Sequence, residues 1–212
     1  MTTLLRESIS LTGCGRTDTG VHARDYFAHF DISVALSDVD SVIYRINKML
    51  SSDIAIHNIY RVSAEAHARF DAISRSYQYH LHVNKSPFLN HSYYYPYGSP
   101  DLELLNKAAA IVLDYTDFTT YCKTNTDVKT MICQIEKSYW TQEGNTFVYH
   151  ITSDRFLRGM IRLIVGMCLH VCQGKLTLEE VRHSIDNKIK TKYVWSVPAV
   201  GLFLCDIRYP YL

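Results

Sequence analysis

The sequence lacks the features that would carry a chain into or across a membrane. No window approaches about 18 uninterrupted apolar residues, so no membrane-spanning helix is expected. The start, MTTLLRESIS, has no basic stretch followed by an apolar one and does not read as a signal peptide. A cytoplasmic protein is the expectation. The six cysteines include no C-x-x-C pair, which argues against a zinc ribbon or a redox motif; reduced thiols are expected. Cys168 and Cys172 read as packing residues on one helix face. An excess of either charge is also absent, with 22 Lys and Arg against 21 Asp and Glu. A dedicated DNA-coating protein would be more basic, and no DNA partner is expected; the totals themselves neither demand nor exclude nucleic acid, and what matters is whether the arginines gather on one surface. There is no low-complexity tract, charge block or visible repeat. At 47% hydrophobic and 20% charged, the 212 residues fit one or two globular domains.

What is present is a mixture of strand and helix patterns. ISLTG (9–13), YFAHFDIS (26–33) and DIAIHNIYRVS (53–63) read as strands. Between the last two, Ser37 opens a helix with Val39, Val42, Ile43, Ile46 and Leu50 on one face. SRSYQYHLHV (74–83) alternates, with Tyr77, Tyr79, Leu81 and Val83 on one side. Residues 84–100 are loop-like, and DLELLNKAAAIVLDY (101–115) is a helix. TMICQIEKSYWTQ and NTFVYHITS flank Glu143-Gly144 as a hairpin. Residues 154–175 carry the longest apolar helix pattern, Thr177 to Glu180 spells a capping box, and VGLFLCDIRYP closes the chain as a core strand. The class implied is α+β with a largely antiparallel sheet.

The segment with the most chemical content is TGCGRTDTGVHAR (12–24). Its glycines, Gly13, Gly15 and Gly20, lack the spacing of a dinucleotide loop, and a strand rather than a helix follows; no Walker lysine is present. What remains is Asp18 in a tight loop, with Arg16 two residues before it. Either Asp18 caps its own turn, or it is a reactive carboxylate kept ionised by the arginine, as a nucleophile must be. His80 and His82 share a strand face like a metal pair but have no third ligand at a sensible spacing, so they are expected to face solvent and no metal is expected. Arg155, Arg158 and Arg162 are spaced for one helix face, opposite Leu157, Ile161, Ile164 and Val165. Such a basic stripe suits phosphate contact, and Arg24, Arg61, Arg69 and Arg75 would extend it. Tyr93, Tyr94, Tyr95 and Tyr97 either stack on bases or pack a loop or subunit contact.

GRTDTGVHA closely resembles the active-site motif G-R-T-D-x-G-V-H-A of the tRNA pseudouridine synthase A (TruA) family. HARFDAISRSYQYHL (67–81), DFTTYCK (117–123), RFLRGMIRLIVG (155–166) and GLFLCDIRYP (201–210) resemble further family segments in the same order. The resemblance spans nearly the whole chain. It implies the pseudouridine synthase fold, two α/β halves with mainly antiparallel sheets and a central cleft. It also implies isomerisation of uridine to pseudouridine in the anticodon stem-loop of tRNA, at about positions 38, 39 and 40, chosen by RNA shape. No cofactor or metal is implied, and the partners implied are tRNA and a second copy of the chain in a homodimer. Asp18 would be the catalytic carboxylate, Tyr77 the aromatic residue against the flipped base and a candidate base for the C5 proton, and Arg162 the partner of the carboxylate. Arg16, His22, Arg24, Arg69, Arg75, Arg155 and Arg158 would contact RNA, although His22 could instead support the loop.

Family members usually begin with a strand and helix bearing a Y-D-G-x-x-[FY]-x-G-[WF]-Q-like motif, which does not occur here. Residues 1–66 are therefore expected to form an incomplete N-terminal half carrying the GRTD loop, and residues 67–212 the C-terminal half. Gln134 also stands where relatives often carry a basic residue. Two rival functions follow. One is a truncated, catalytically impaired RNA-binding paralogue, indifferent to Asp18. The other is an Asp-dependent hydrolase, which would want a second carboxylate; Asp25 and Asp31 are near in sequence but sit in no acid/base motif.

Overall fold

In the computed structural model, residues 1–123 and 130–212 are described. In chain order the elements are α1 (Thr2–Leu5), β1 (Thr12–Gly13), β2 (His22–Ala23), β3 (Ala28–His29), α2 (Val39–Met49), β4 (Ser74–His82), β5 (Tyr93–Tyr94), α3 (Leu102–Ile111), β6 (Ile135–Glu143), β7 (Thr146–Ser153), α4 (Met160–Cys172), α5 (Leu178–Asp186) and β8 (Leu202–Arg208). The protein is α+β. It divides into two compact units. Met1–Gly15, Phe27–Asp71 and Pro210–Leu212 make up the first; Arg16–Tyr26 and Ala72–Tyr209 make up the second. Residues 16–26, with the GRTD aspartate, thus belong with the later chain.

In the first unit β1 pairs antiparallel with β3. The cap of α2 is Asp38, one residue beyond the expected Ser37: its Oδ1 accepts the Ser41 N–H at 2.9 Å, placing a carboxylate at the positive end of the helix. Of the apolar face read from the sequence, Ile46 alone is buried in α2. The strand expected over 53–63 does not form. Ile56 instead pairs with a side chain: Asn47 Oδ1 accepts its N–H at 2.7 Å, and Asn47 Nδ2 donates to its carbonyl at 2.8 Å. Alternation alone supplies no neighbouring strand, so the carboxamide satisfies the backbone in its place.

The second unit holds a mixed sheet in the order β2-β8-β4-β7-β6, with β5 added beside β4. The β2–β8 and β4–β5 pairs are parallel and the others antiparallel. The β6–β7 turn is Gly144-Asn145, one residue later than Glu143-Gly144. Tyr79, Leu81, Phe147, Tyr149 and Ile151 are fully buried in a core shared with α3 and α4. Asn106 of α3 accepts the Trp140 N–H of β6 at 2.8 Å and donates to its carbonyl at 3.1 Å, fastening helix to strand. Helix α4 buries every residue except Arg162 and Cys172. Burying each large aliphatic side chain contributes about 1.5–3 kcal/mol, so this helix is held by packing on all sides. At Gly166 a Cβ would overlap the Trp195 carbonyl, so the segment at Trp195 lies directly on the helix backbone.

Two expectations fail here for local reasons. Helix α4 begins only at Met160, after Gly159 in the left-handed region (φ +73°), so Arg155 and Arg158 do not share a helix face with Arg162. Asp154 helps to hold the preceding turn: its Oδ1 accepts the N–H groups of Gln134 and Arg155, both at 2.7 Å. Nor do the histidines of β4 face solvent. His82 is buried, its Nδ1 3.0 Å from Ser92 Oγ and its ring beside Tyr94, because β5 pairs with β4 at that point. His80 is half-buried, with Nε2 3.1 Å from Gln78 Oε1. Among the described residues no helix is long and apolar enough to cross a membrane.

Candidate active site

The loop that follows Arg16 closes through its backbone: the Val21 N–H donates to the Asp18 carbonyl at 3.1 Å. Among the described residues the Asp18 side chain accepts no backbone N–H, so it does not cap its own turn and the Asx-turn reading fails. Its Oδ2 accepts a bond from Arg162 Nη1 at 3.0 Å, across 144 positions of sequence. Arg16, the neighbour in the motif, is exposed and makes no ion pair among the described residues. The Asp18 side chain remains 32% exposed, and among the described residues its Oδ1 accepts no hydrogen bond.

Arg162 interrupts an otherwise apolar helix, and its side chain is only 15% exposed. A charge removed from water is tolerable only when it is paired and hydrogen-bonded. Both conditions are met: Nε donates to the Val197 carbonyl at 2.6 Å while Nη1 holds Asp18. Two bonds from one planar guanidinium fix its direction as well as its charge. The next carbonyl, that of Pro198, accepts the Tyr79 hydroxyl at 2.9 Å, tying the 197–198 segment to β4. Burial, reinforced by Tyr93, raises the pKa of Tyr79 so that it stays protonated. Tyr77 lies two residues earlier on β4, against the same core, with its ring edge-on to Phe156 at 5.2 Å between centroids. A bulge at Ser76/Tyr77 in the β4–β8 pairing adjusts the strand at this tyrosine.

A second cation, missed in the sequence, completes the arrangement. Lys123 Nζ stands 3.9 Å from Asp18 Oδ2, with its side chain 37% exposed. Its backbone N–H donates to the Arg158 carbonyl at 3.1 Å. It is the final residue of DFTTYCK, and no local pattern marks it as a partner of a residue more than 100 positions away. Among the described residues no group of three or more His, Cys, Asp or Glu side chains could hold a metal ion.

A family model described as tRNA pseudouridine synthase matches residues 112–210. The tRNA pseudouridine synthase A of Parabacteroides distasonis is 44% identical over 207 residues, covering 98% of this chain and 82% of that protein. That of Bacteroides fragilis is 43% identical over 212 residues, covering 99% and 84%. The more distant protein of Caldicellulosiruptor bescii is 34% identical over 209 residues, covering 97% and 85%. The chain belongs to the tRNA pseudouridine synthase A family.

The other residues that the family resemblance nominates are spread more widely. His22 of β2 stacks on Phe203 at 4.8 Å and meets His91 edge-on at 4.6 Å. Burial, then His91, lowers its pKa, and its Nε2 is buried without a partner among the described residues. Its contacts are those of a support for the β2–β8 pairing. Arg24 is exposed, with its guanidinium 5.7 Å from the Phe203 ring centroid and its N–H on the Leu204 carbonyl. Arg75 donates to the Asp154 carbonyl at 3.1 Å. Arg155 is half-buried and Arg158 exposed, both in the irregular stretch before α4. Arg69 belongs to the first unit, where it lies over the Phe70 ring. In the tyrosine-rich stretch Tyr95 is buried and Tyr97 exposed, so loop packing accounts for the first at least.

Proposed function

We propose that this chain isomerises uridine to pseudouridine in tRNA, with Asp18 as the catalytic carboxylate. The observation that carries the reading is the Asp18–Arg162 ion pair. The aspartate of GRTDTGVHA is gripped by a guanidinium fixed in a buried helix, while among the described residues its second oxygen accepts no hydrogen bond. Membership of the tRNA pseudouridine synthase A family supports a use for such a carboxylate. In the reaction the N1–C1′ glycosidic bond breaks, the uracil turns, and a C5–C1′ bond forms. The C5 proton leaves and N1 gains one. Substrate and product contain the same atoms, so the isomerisation requires no oxidant, reductant or group donor.

The residues divide the work as follows. Asp18 acts on the substrate through its open oxygen, Arg162 holds its orientation, and Tyr77 lies against the base once the nucleotide is flipped from its stack. Tyr77 is also placed in the role of accepting the C5 proton. The arginines near the site contact phosphates, and the targets are uridines of the anticodon stem-loop, at about positions 38, 39 and 40, recognised by RNA shape. The enzyme works in the cytoplasm as a homodimer.

The test is release of tritium from tRNA labelled at uridine C5. Wild-type chain is expected to release it, and Asp18→Asn to lose on the order of 10³-fold or more while its circular dichroism is unchanged. Undiminished release by Asp18→Asn would sink the assignment. Binding of tRNA with no release by either protein would favour the binding-only paralogue.

A further inference from the structure

We infer that Lys123 is a positioning residue for Asp18, and that Gly159 is the notch through which its side chain reaches the carboxylate. The inference rests on the reading of Asp18 as the catalytic group. Arg162 and Lys123 converge on the same oxygen, Oδ2, at 3.0 and 3.9 Å. They differ in kind. The arginine is fixed by its second bond to Val197. The lysine sits beyond hydrogen-bond distance and acts by its charge, on a more exposed side chain. Both cations engage Oδ2, and among the described residues Oδ1 accepts no hydrogen bond.

The path of the lysine gives a second reason for glycine at this position, beside its positive φ. A Cβ at residue 159 would stand 2.8 Å from Lys123 Cε and 2.9 Å from both Cδ and Cγ. Three consecutive carbons would be struck at once, so moving the tip of the chain would not relieve the clash. The backbone of Lys123 cannot simply retreat, because its N–H is bonded to the Arg158 carbonyl beside the notch. The positive φ of Gly159 further disfavours any side chain there. The residue at the N-cap of α4 therefore also sets where the ammonium lies.

The experiment measures kcat and KM for tritium release with the full chain. Lys123→Met keeps the length and removes the charge; it is expected to lower kcat about tenfold, with KM changed less than about twofold. Lys123→Arg is expected to recover most of the loss. Gly159→Ala should lower kcat like Lys123→Met, and the double variant should be no worse than Lys123→Met alone, because both changes remove one interaction. An unchanged kcat in Lys123→Met overturns the inference. So does a loss confined to KM, which would mark a phosphate contact, or additive losses in the double variant. If Gly159→Ala fails to fold, the Met and Arg variants decide alone. A readout without turnover separates this inference from the proposed reaction. Carbodiimide treatment of the tRNA-free protein should join Lys123 to Asp18 by an amide, detected by peptide mass, and Gly159→Ala should suppress it. No amide in the wild type would overturn the pairing, whereas an amide without tritium release would sustain the pairing and sink the reaction.

Discussion

Helix α2 of the first unit turns Val39, Val42, Ile43 and Ile46 to one side and buries Ile46 alone, whereas α4 of the second unit buries all but Arg162 and Cys172. The contrast extends through both units. The buried apolar residues of the first are Cys14, Ile46 and Ala68, while Leu11, Val34, Tyr44, Met49, Ile54 and Phe70 are exposed. The second contains the whole of the large core. The first unit shows what capping, helix periodicity and a side-chain amide standing in for a strand can achieve with little burial. The second shows what dense packing adds. A guanidinium can be aimed at one carboxylate oxygen only when its helix cannot rotate or slide, and α4 meets that requirement. The proposed chemistry lies in the unit that can hold a charge in place.

The largest expected effect would break this contrast at its strongest point. Gly166→Ala should destabilise the second unit by about 4 kcal/mol or more, because the new methyl meets the backbone carbonyl of Trp195 rather than a movable side chain. Urea unfolding measures it, and a loss below about 1 kcal/mol would show that the helix and the Trp195 segment can part cheaply. Next comes the matched pair Ile164→Ala and Ile46→Ala. The first lies in the dense core and should cost about 4 kcal/mol; the second, with fewer buried neighbours, about 2 kcal/mol. Equal losses would mean that the first unit packs as tightly as the second.

The smallest effect is a pH dependence belonging to the second unit. Burial, followed by the charges of Arg24 and His150, lowers the pKa of His80 to about 4 from an ordinary 6.5. Between those values the unfolded chain binds a proton that the folded chain refuses. Stability should therefore fall as pH drops from 6.5 towards 4, by up to about 2 kcal/mol once water screening is allowed for. His22, His82, His150 and His170, also lowered mainly by burial, act in the same direction. Urea midpoints at pH 7 and pH 5 should differ, and His80→Gln should remove part of the difference. An unaltered difference would assign it to the other histidines.

Much of the architecture was legible before any coordinates. Strands β4 and β8 stand where their patterns placed them, within a residue or two at the ends; α3 stops at Ile111, four residues short of the pattern, and β6 of the β6–β7 hairpin starts at Ile135, five residues late. The Thr177 capping box is present, with Glu180 accepting the Thr177 N–H at 2.7 Å and Thr177 accepting the Glu180 N–H at 3.1 Å. Each of these depends on neighbours within about one helical turn or one strand pair. The failures share a different cause. A strand over 53–63 needed a partner that the pattern could not supply. The basic stripe of Arg155, Arg158 and Arg162 assumed a helix that Gly159 delays. Solvent-facing histidines on β4 could not be reconciled with β5, which pairs at His82, or with Phe203, whose ring lies 5.0 Å from that of His80.

The sequence by itself determined the α+β class, most of the second unit's elements, and Asp18 as the residue to examine, because turn glycines, alternation and capping act over short stretches of chain. Through the family resemblance it also pointed to Arg162 as the partner of the carboxylate, whereas the arginine nearest in the chain, Arg16, faces solvent. Only the tertiary structure decided that Lys123 joins Arg162 at Asp18, and that Gly159 clears the lysine's path. The contacts to Asp18 join residues more than 100 positions apart, and their distances follow from how α4 seats in the core of the second unit, which no local pattern encodes.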